Sequence, residues 1–192
     1  MPVRSPRLKI IRRLGVALSG LTRKLAGDAS ATAGPRSRRK PSAYRLALEE
    51  KQKVRFNYGV TEKQMRRYLD AARRLPGRTG ENLLLMLERR LDNTVFRLGF
   101  APTIPAARQL VTHGHVRVNG ARVDRPSYLA DIGDTVSLAL RAAPGADAVL
   151  RMPAHLRPDA GDARAGRMIA LPVRGDVPFP VRESLVVEFY AR

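Results

Sequence analysis

Residues 97–120 read RLGFAPTIPAARQLVTHGHVRVNG, and nearly every step of that string carries a local signal. Thr103 supplies a hydroxyl ahead of a helix, and Pro105 falls in its first turn, where a missing backbone N–H is no loss. Ala107, Leu110 and Val111 give the helix an apolar side, and Gly114 is placed to end it. Val116 and Val118 then alternate with polar neighbours, Asn119-Gly120 is the strongest two-residue hairpin turn, and Val123 starts the return. A third strand is expected at 135–140, after Gly133-Asp134. Upstream, Thr79 caps a helix in which Leu84, Leu87, Leu91, Val95 and Leu98 recur at helical spacing. That stripe reads as core, with Arg89, Arg90 and Arg97 on the opposite face. Two helices followed by a small sheet make an α+β module at about 92–140.

Further towards the N-terminus the pattern is helical. Ser42 can cap a helix through EEKQKVRF (49–56), stopped at Asn57 to Gly59. Thr61 with Gln64 forms a capping box for a second helix to about Arg74, broken by Leu75, Pro76 and Gly77. Residues 27–41, GDASATAGPRSRRKP, read as a basic linker or arm. The first 27 residues hold no acid, as in a transit peptide. Leu8, Ile10, Ile11, Leu14, Val16 and Leu18 instead give them a short apolar segment. On the other side of the module, 142–167 is rich in Ala, Gly, Pro and Asp and reads as a loop. A last strand at 168–173 and the apolar-alternating tail SLVVEFY (184–190) are expected to pack back on the N-terminal helices.

Charge narrows the function. The chain of 192 residues carries a formal net charge of +19, a self-repulsion that a polyanion relieves. Residues 1–90 hold 23 Lys+Arg against 7 Asp+Glu, and residues 91–192 hold 13 against 10. Phosphate neutralisation therefore belongs mainly to the N-terminal half. Arginine outnumbers lysine 30 to 6, which suits bidentate phosphate contacts, although codon bias explains such a ratio equally well. No apolar run approaches the roughly 18 residues of a spanning helix, so no membrane is expected.

Catalysis has thin support. With no cysteine, thiolate metal sites and Cys nucleophiles are excluded. Of the three histidines, His113, His115 and His155, the His113/His115 pair could suggest a metal or a general base but has no acidic cluster nearby, and TGENLL (79–84) lacks the lysine and spacing of a P-loop. The 10 aromatics, 5 Tyr and 5 Phe, do not form the stacking pattern of a single-strand reader. Shape and backbone recognition of folded RNA fits better, and a helix-turn-helix DNA reader remains an alternative.

KIIRRLG (9–15), EEKQKVRFNYG (49–59), TGENLL (79–84), ERRLDN (88–93), RLGFAPTIPAARQLVTHGHVRVNG (97–120) and VEFYAR (187–192) occur in this order over nearly the whole chain. The combination closely resembles the small-subunit ribosomal protein four family, and the wording of PTIPAARQLV and LEEKQKVRFNYG is most similar to its cyanobacterial and chloroplast branch. The resemblance implies a basic arm at 1–41, a mostly helical lobe at 42–91 completed by 156–192, and a small inserted RNA-binding module at 92–155. It implies a non-enzymatic ribosomal component, in bacterial cytoplasm or plastid stroma, that needs no cofactor. Its implied partners are the five-prime domain of small-subunit ribosomal RNA, ribosomal protein five and other small-subunit proteins, and mRNA near its entry path. Early binding to a multi-helix RNA junction would nucleate subunit assembly, and the contact with protein five would influence decoding accuracy.

Carried over by position, Arg108, Gln109, His113, His115 and Asn119 match the module's RNA-facing motif, and Arg89, Arg90, Asn93 and Arg97 match the preceding helices. The basic residues Arg12, Arg13, Arg38, Arg39, Lys40, Lys51, Lys53, Arg55, Arg66, Arg67, Arg117 and Arg122 complete the expected RNA-binding set. Many relatives have a zinc-binding cysteine cluster near the N-terminus that this chain lacks. Their Pro-Gly-x-His-Gly is reduced here to Gly34-Pro35. Two rivals share the small module. An RNA-modifying enzyme or tRNA synthetase would need a large catalytic domain, and a ribosome-rescue or stress factor would lack the basic N-terminal helices and the VEFYAR ending.

Overall fold

A computed structural model describes residues 7–22, 42–139 and 152–191. The expected arm at 27–41 and most of the first half of the 142–167 loop lie outside the described residues. The chain divides into two compact units, one comprising Met1–Leu84 with Pro178–Arg192 and the other Leu85–Val177. Helix and strand together in one chain make the fold α+β, as expected.

In the first unit, α1 (Arg7–Leu14) buries Ile10, Ile11 and Leu14, the apolar segment expected there. Helix α2 (Ala43–Asn57) starts where Ser42 Oγ accepts from the Arg45 N–H at 3.3 Å. The Asn57 side chain at its end accepts from the Gly20 N–H at 3.2 Å, joining two segments 37 residues apart. Helix α3 (Glu62–Arg73) opens with the complete Thr61/Gln64 capping box. Helix α4 (Thr79–Glu88) begins at the expected position.

The C-terminal tail is a helix, Glu183–Ala191, and it packs back on α2 as expected. Phe189 meets Tyr44 at 5.6 Å between ring centroids. The Arg182 N–H donates to Glu50 at 3.0 Å, and the Tyr190 hydroxyl donates to Glu62 at 2.8 Å. No described strand lies in this unit, so a strand here would leave its backbone groups unpaired; a helix satisfies them internally.

In the second unit, α5 (Leu91–Arg97) follows α4 after a break. The single helix expected across this stretch is thus two. Arg90 leaves the helical region at φ −60°, ψ 137° and forms an isolated antiparallel bridge with Leu129. The Ala130 N–H donates to Arg89 C=O and the Leu91 N–H to Tyr128 C=O, both at 2.8 Å. The leucine stripe is nevertheless core, with Leu84, Leu87, Leu91, Val95 and Leu98 all buried. Helix α6 (Ile104–Thr112) has the expected Thr103 cap, whose hydroxyl accepts from the Ala106 N–H.

Five strands follow: β1 (Val116–Val118), β2 (Ala121–Arg122), β3 (Thr135–Leu138), β4 (Leu156–Pro158) and β5 (Ala165–Met168). They form one antiparallel sheet in the order β2-β1-β3-β5-β4. The β1–β2 turn holds Asn119 at φ 51° and Gly120 at φ 80°, the two positive values of the expected hairpin type. Val116, Val118, Val136, Leu138, Leu156 and Met168 are buried on the inner face. A Cβ on Gly166 would stand 2.5 Å from a Leu98 methyl, so β5 needs glycine to lie against the end of α5.

Two expectations are corrected here. The loop read over 142–167 contains β4 and the start of β5, and the strand expected at 168–173 sits earlier, ending at Met168. These strands are short, offer only Leu156, Ala165 and Met168 to the core, and take their conformation from pairing with β3 and each other. The second correction concerns the division at 155–156. Because β4 and β5 belong to this sheet, residues up to Val177 cluster with the module and not with the helical lobe. A final 3₁₀ turn (Arg174–Asp176) is held by His155, whose Nδ1 lies 2.8 Å from Asp176 Oδ2.

Candidate nucleic-acid interface

The arginines around the α4–α5 break divide into internal and external groups. Arg90 is 2% exposed, and its guanidinium grips the fully buried Asp92 with two bonds, 3.0 Å from Nε and 2.8 Å from Nη2. Arg97 is 5% exposed and bonds both carboxylate oxygens of the buried Glu88, as well as the Asp176 carbonyl at 2.8 Å. The buried Asn93 amide donates to the Glu88 carboxylate and to its backbone carbonyl. The exposed face expected for Arg90 and Arg97 is therefore corrected: both are internal, because the acids Glu88 and Asp92 are buried with them. Arg89 is partly exposed but also engaged, with Ala130 C=O at 3.0 Å and Asp131 at 3.2 Å.

Arg108 stands at the boundary. From α6 it donates to Asp92 Oδ2 at 2.6 Å from Nη2, while a third of its side chain reaches solvent. One dry carboxylate thus orients two guanidiniums, one inside and one at the surface. Gln109 is exposed on the same helix and His113 at its C-cap, and His115 follows at 6.1 Å between ring centroids from His113. Together with Ala106 and Leu110 these residues line an open cavity of about 380 Å³.

The hairpin lies beside them. Gly114, at φ 74°, is so close to the Arg122 guanidinium that any Cβ there would collide with it. Arg122 in turn faces Arg117 across the β1–β2 ladder, and both are exposed. At the hairpin tip, Asn119 accepts from the Thr135 N–H at 2.9 Å and donates to Asp134 at 2.7 Å. Asp134 also receives the Tyr128 hydroxyl at 3.2 Å; partial burial and the Asp134 charge hold that phenol above its ordinary range. Arg108, Gln109, His113, His115, Arg117, Asn119 and Arg122 thus lie on α6, β1, β2 and the turns that join them. Two exposed arginines on the strands of the sheet escaped the sequence reading, Arg157 on β4 and Arg167 on β5. The alternation Leu156-Arg157 and Gly166-Arg167-Met168 was their available signal.

In the first unit, Arg12 and Arg13 are exposed on α1, and Arg66 and Arg67 on α3. Arg38, Arg39 and Lys40 lie outside the described residues. Lys51 and Lys53 are largely committed inside. Lys51 sits 4.1 Å from the Phe189 ring centre and 3.3 Å from Glu62, and Lys53 is 2.6 Å from Glu50. Arg55 is half-buried, its guanidinium 5.7 Å from the Phe56 ring centre. Burial alone would raise Glu62, but the Tyr190 hydrogen bond with the Lys51 and Arg55 charges outweighs it and leaves that carboxyl below 4.5. Burial and the bond to Glu62 push the Tyr190 phenol well above 10.0. Among the described residues no group of three or more His, Asp or Glu side chains could hold a metal ion, and no helix is long and apolar enough to cross a membrane.

Comparison with known proteins gives this arrangement a family. Residues 2–88 match the ribosomal protein S4/S9 N-terminal domain, and residues 89–136 match the S4 domain. The small ribosomal subunit protein uS4 of Synechococcus sp. (strain JA-2-3B'a(2-13)) is 52% identical over 196 residues, covering 97% of this chain and 96% of the relative. That of Nostoc punctiforme is 49% identical, covering 98% and 97%. The uS4c protein of Guillardia theta is 48% identical, covering 96% and 95%. A likeness that spans the basic helices, the hairpin module and the C-terminal helix alike leaves one conclusion: this chain belongs to the uS4 family of small ribosomal subunit proteins.

Proposed function

We propose that this chain is a structural, non-catalytic component of the small ribosomal subunit that binds ribosomal RNA directly. The observation that carries this reading is its near-complete-length similarity to small ribosomal subunit proteins at about half identity. The charge supports it independently, since a net +19 calls for a polyanion and folded ribosomal RNA supplies one.

The finer reading is binding at a helix junction of the five-prime domain of the RNA. Arg12, Arg13, Arg66 and Arg67 of the first unit neutralise phosphates and stiffen one arrangement of the junction. In the second unit, Arg108, Gln109, His113, His115, Arg117, Asn119 and Arg122 read shape and backbone, contacts that position without specifying bases. Arg90, Asn93 and Arg97 act behind them by holding α5 and Arg108 in place. Early binding of this kind nucleates subunit assembly. Contacts with ribosomal protein five, near the mRNA entry path, tune decoding accuracy.

The test is a titration of the purified chain against the isolated five-prime domain, from roughly 50 to 300 mM salt with tRNA as competitor. Tight, competitor-resistant binding with a steep salt slope is expected. Equal affinity for tRNA and the ribosomal fragment would reduce the chain to a merely sticky basic protein and defeat the proposal.

A further inference from the structure

The outer face of the five-stranded sheet carries an arrangement that folding alone disfavours. Arg117 pairs in register with Arg122, and Arg157 with Arg167. Like charges directly opposite across a ladder repel, and this sheet contains two such pairs. Between them runs β3, whose outward residues Ser137 and Thr135 pair with Arg117 and Arg167 respectively. None of the five strands contains an acid. Most neighbouring carboxylates are in turns and engaged there, while Asp124, just past β2, is exposed. Asp134 holds Asn119, Tyr128 and the Asp131 N–H, Asp159 holds the Gly161 and Asp162 N–H groups, and Asp162 holds Arg164.

Edge protection accounts for part of this. Arg122 and Arg157 are on the edge strands β2 and β4, where a charge discourages pairing with another chain. It does not account for Arg117 and Arg167, which lie on interior strands. Arg167 is moreover oriented, its Nε donating to Thr135 Oγ1 at 3.2 Å across β3. With strands about 4.8 Å apart, β1 and β5 are separated by roughly 10 Å, so the two pairs form one basic band with hydroxyl donors at its middle.

We propose that this sheet face is a second RNA-binding surface, in which Arg117, Arg122, Arg157 and Arg167 grip backbone phosphates and Ser137 and Thr135 donate between them. The proposal rests on the RNA-binding reading above and extends it from α6 and the hairpin across the whole sheet. A phosphate between facing guanidiniums turns each repulsive pair into a bidentate site. The surface is thus disfavoured in the free protein and stabilised in the complex.

The experiment uses the full chain and the isolated five-prime domain RNA. The variant is Arg157→Gln with Arg167→Gln; the control is Arg157→Lys with Arg167→Lys. Two lost phosphate contacts lower the magnitude of the salt slope by about 1.4–1.8. The ratio of unmodified to Gln-variant affinity therefore shrinks roughly tenfold between about 50 and 200 mM salt. The Lys variant keeps the slope. The Tm of the free Gln variant stays equal or rises, which separates lost binding from lost folding. A Gln variant with an unaltered slope, beside an unmodified chain that binds steeply and specifically, overturns the sheet-face proposal and leaves the face to a partner such as an acidic protein segment. If the unmodified chain itself fails to prefer the ribosomal fragment, the underlying RNA-binding reading fails instead.

Discussion

Asp92→Asn isolates the interaction on which the module most depends. The Asp92 carboxylate is fully buried and receives Arg90, Arg108 and the Asn93 N–H. An amide presents an N–H₂ group to guanidinium donors and carries no charge, so the change removes the counter-ion from an arginine that is 2% exposed. Breaking a buried pair from one side costs about 3–5 kcal/mol, because the remaining charge cannot be hydrated in place. For a chain of this length, about 2–4 °C of Tm is lost per kcal/mol, which puts the expected drop at roughly 6–20 °C. Arg108→Ala is the internal contrast. Its side chain is 32% exposed and its loss leaves the Arg90–Asp92 pair intact, so about 1 kcal/mol or less is expected. Urea unfolding followed by far-ultraviolet circular dichroism, suited to a chain without tryptophan, measures both. Adding Arg90→Met to the Asp92→Asn background should recover most of the loss by replacing the stranded charge with an apolar chain. If Asp92→Asn costs no more than Arg108→Ala, the buried pair is not what holds α5, and the division between internal and surface arginines is wrong.

Three further outcomes follow from local geometry. Asn119→Ala removes two side-chain hydrogen bonds at φ 51° and should cost about 1–3 kcal/mol, whereas Asn119→Gly should recover the backbone part; equal losses for the two variants would count against the left-handed requirement. Thr61→Ala dismantles the capping box of α3 and should lower stability by about 1 kcal/mol in the same urea assay, a null effect meaning that the cap is replaced by water. Stability should also fall at both ends of the pH range. Glu62 is depressed below 4.5 when folded, so its contribution is present above the ordinary carboxyl value and disappears as pH falls through the lowered one. Tyr190 is raised above 10.0, so its contribution is present below that value and disappears as pH climbs towards the raised one. Glu62→Gln should flatten the acid limb of a stability profile and Tyr190→Phe the alkaline limb; unchanged limbs would remove the Glu62–Tyr190 bond as their cause.

What could be read in the sequence was local. Ser42, Thr61 and Thr103 announce helices through their own hydroxyls, and Asn119-Gly120 announces a hairpin through its positive φ values. What could not be read depended on distant partners. The break at Arg89 and Arg90 is made by backbone bonds from residues 128–130, about 40 positions on. Strands β4 and β5 owe their form to β3 and each other, since alternations as short as Leu156-Arg157 and Gly166-Arg167-Met168 do not announce a strand on their own. The tail's apolar run fits helix or strand by periodicity alone, and packing against α2 decides it.

The arginines illustrate the difference most clearly. Counting them placed the charge correctly along the chain but assigned Arg90 and Arg97 to solvent, because a helical wheel treats every arginine as equal. The missing information was already printed beside them, in acids set within an apolar stripe: Glu88 follows Leu87, and Asp92 follows Leu91. A carboxylate driven into a core by its neighbours must bring a cation with it. Each of these two takes an arginine inside, just as Glu50 and Glu62 engage Lys53 and Lys51 in the first unit. The two acids that flank these arginines, Glu88 and Asp92, are therefore turned inward. Arg12, Arg13, Arg66, Arg67, Arg117 and Arg122 are exposed, and with a net charge of +19 the chain has a basic excess that a polyanion neutralises. Internal pairing and external RNA binding are thus one allocation of charge, which is why loss of a buried acid such as Asp92 should disturb the surface that Arg108 presents as well as the core that holds Arg90.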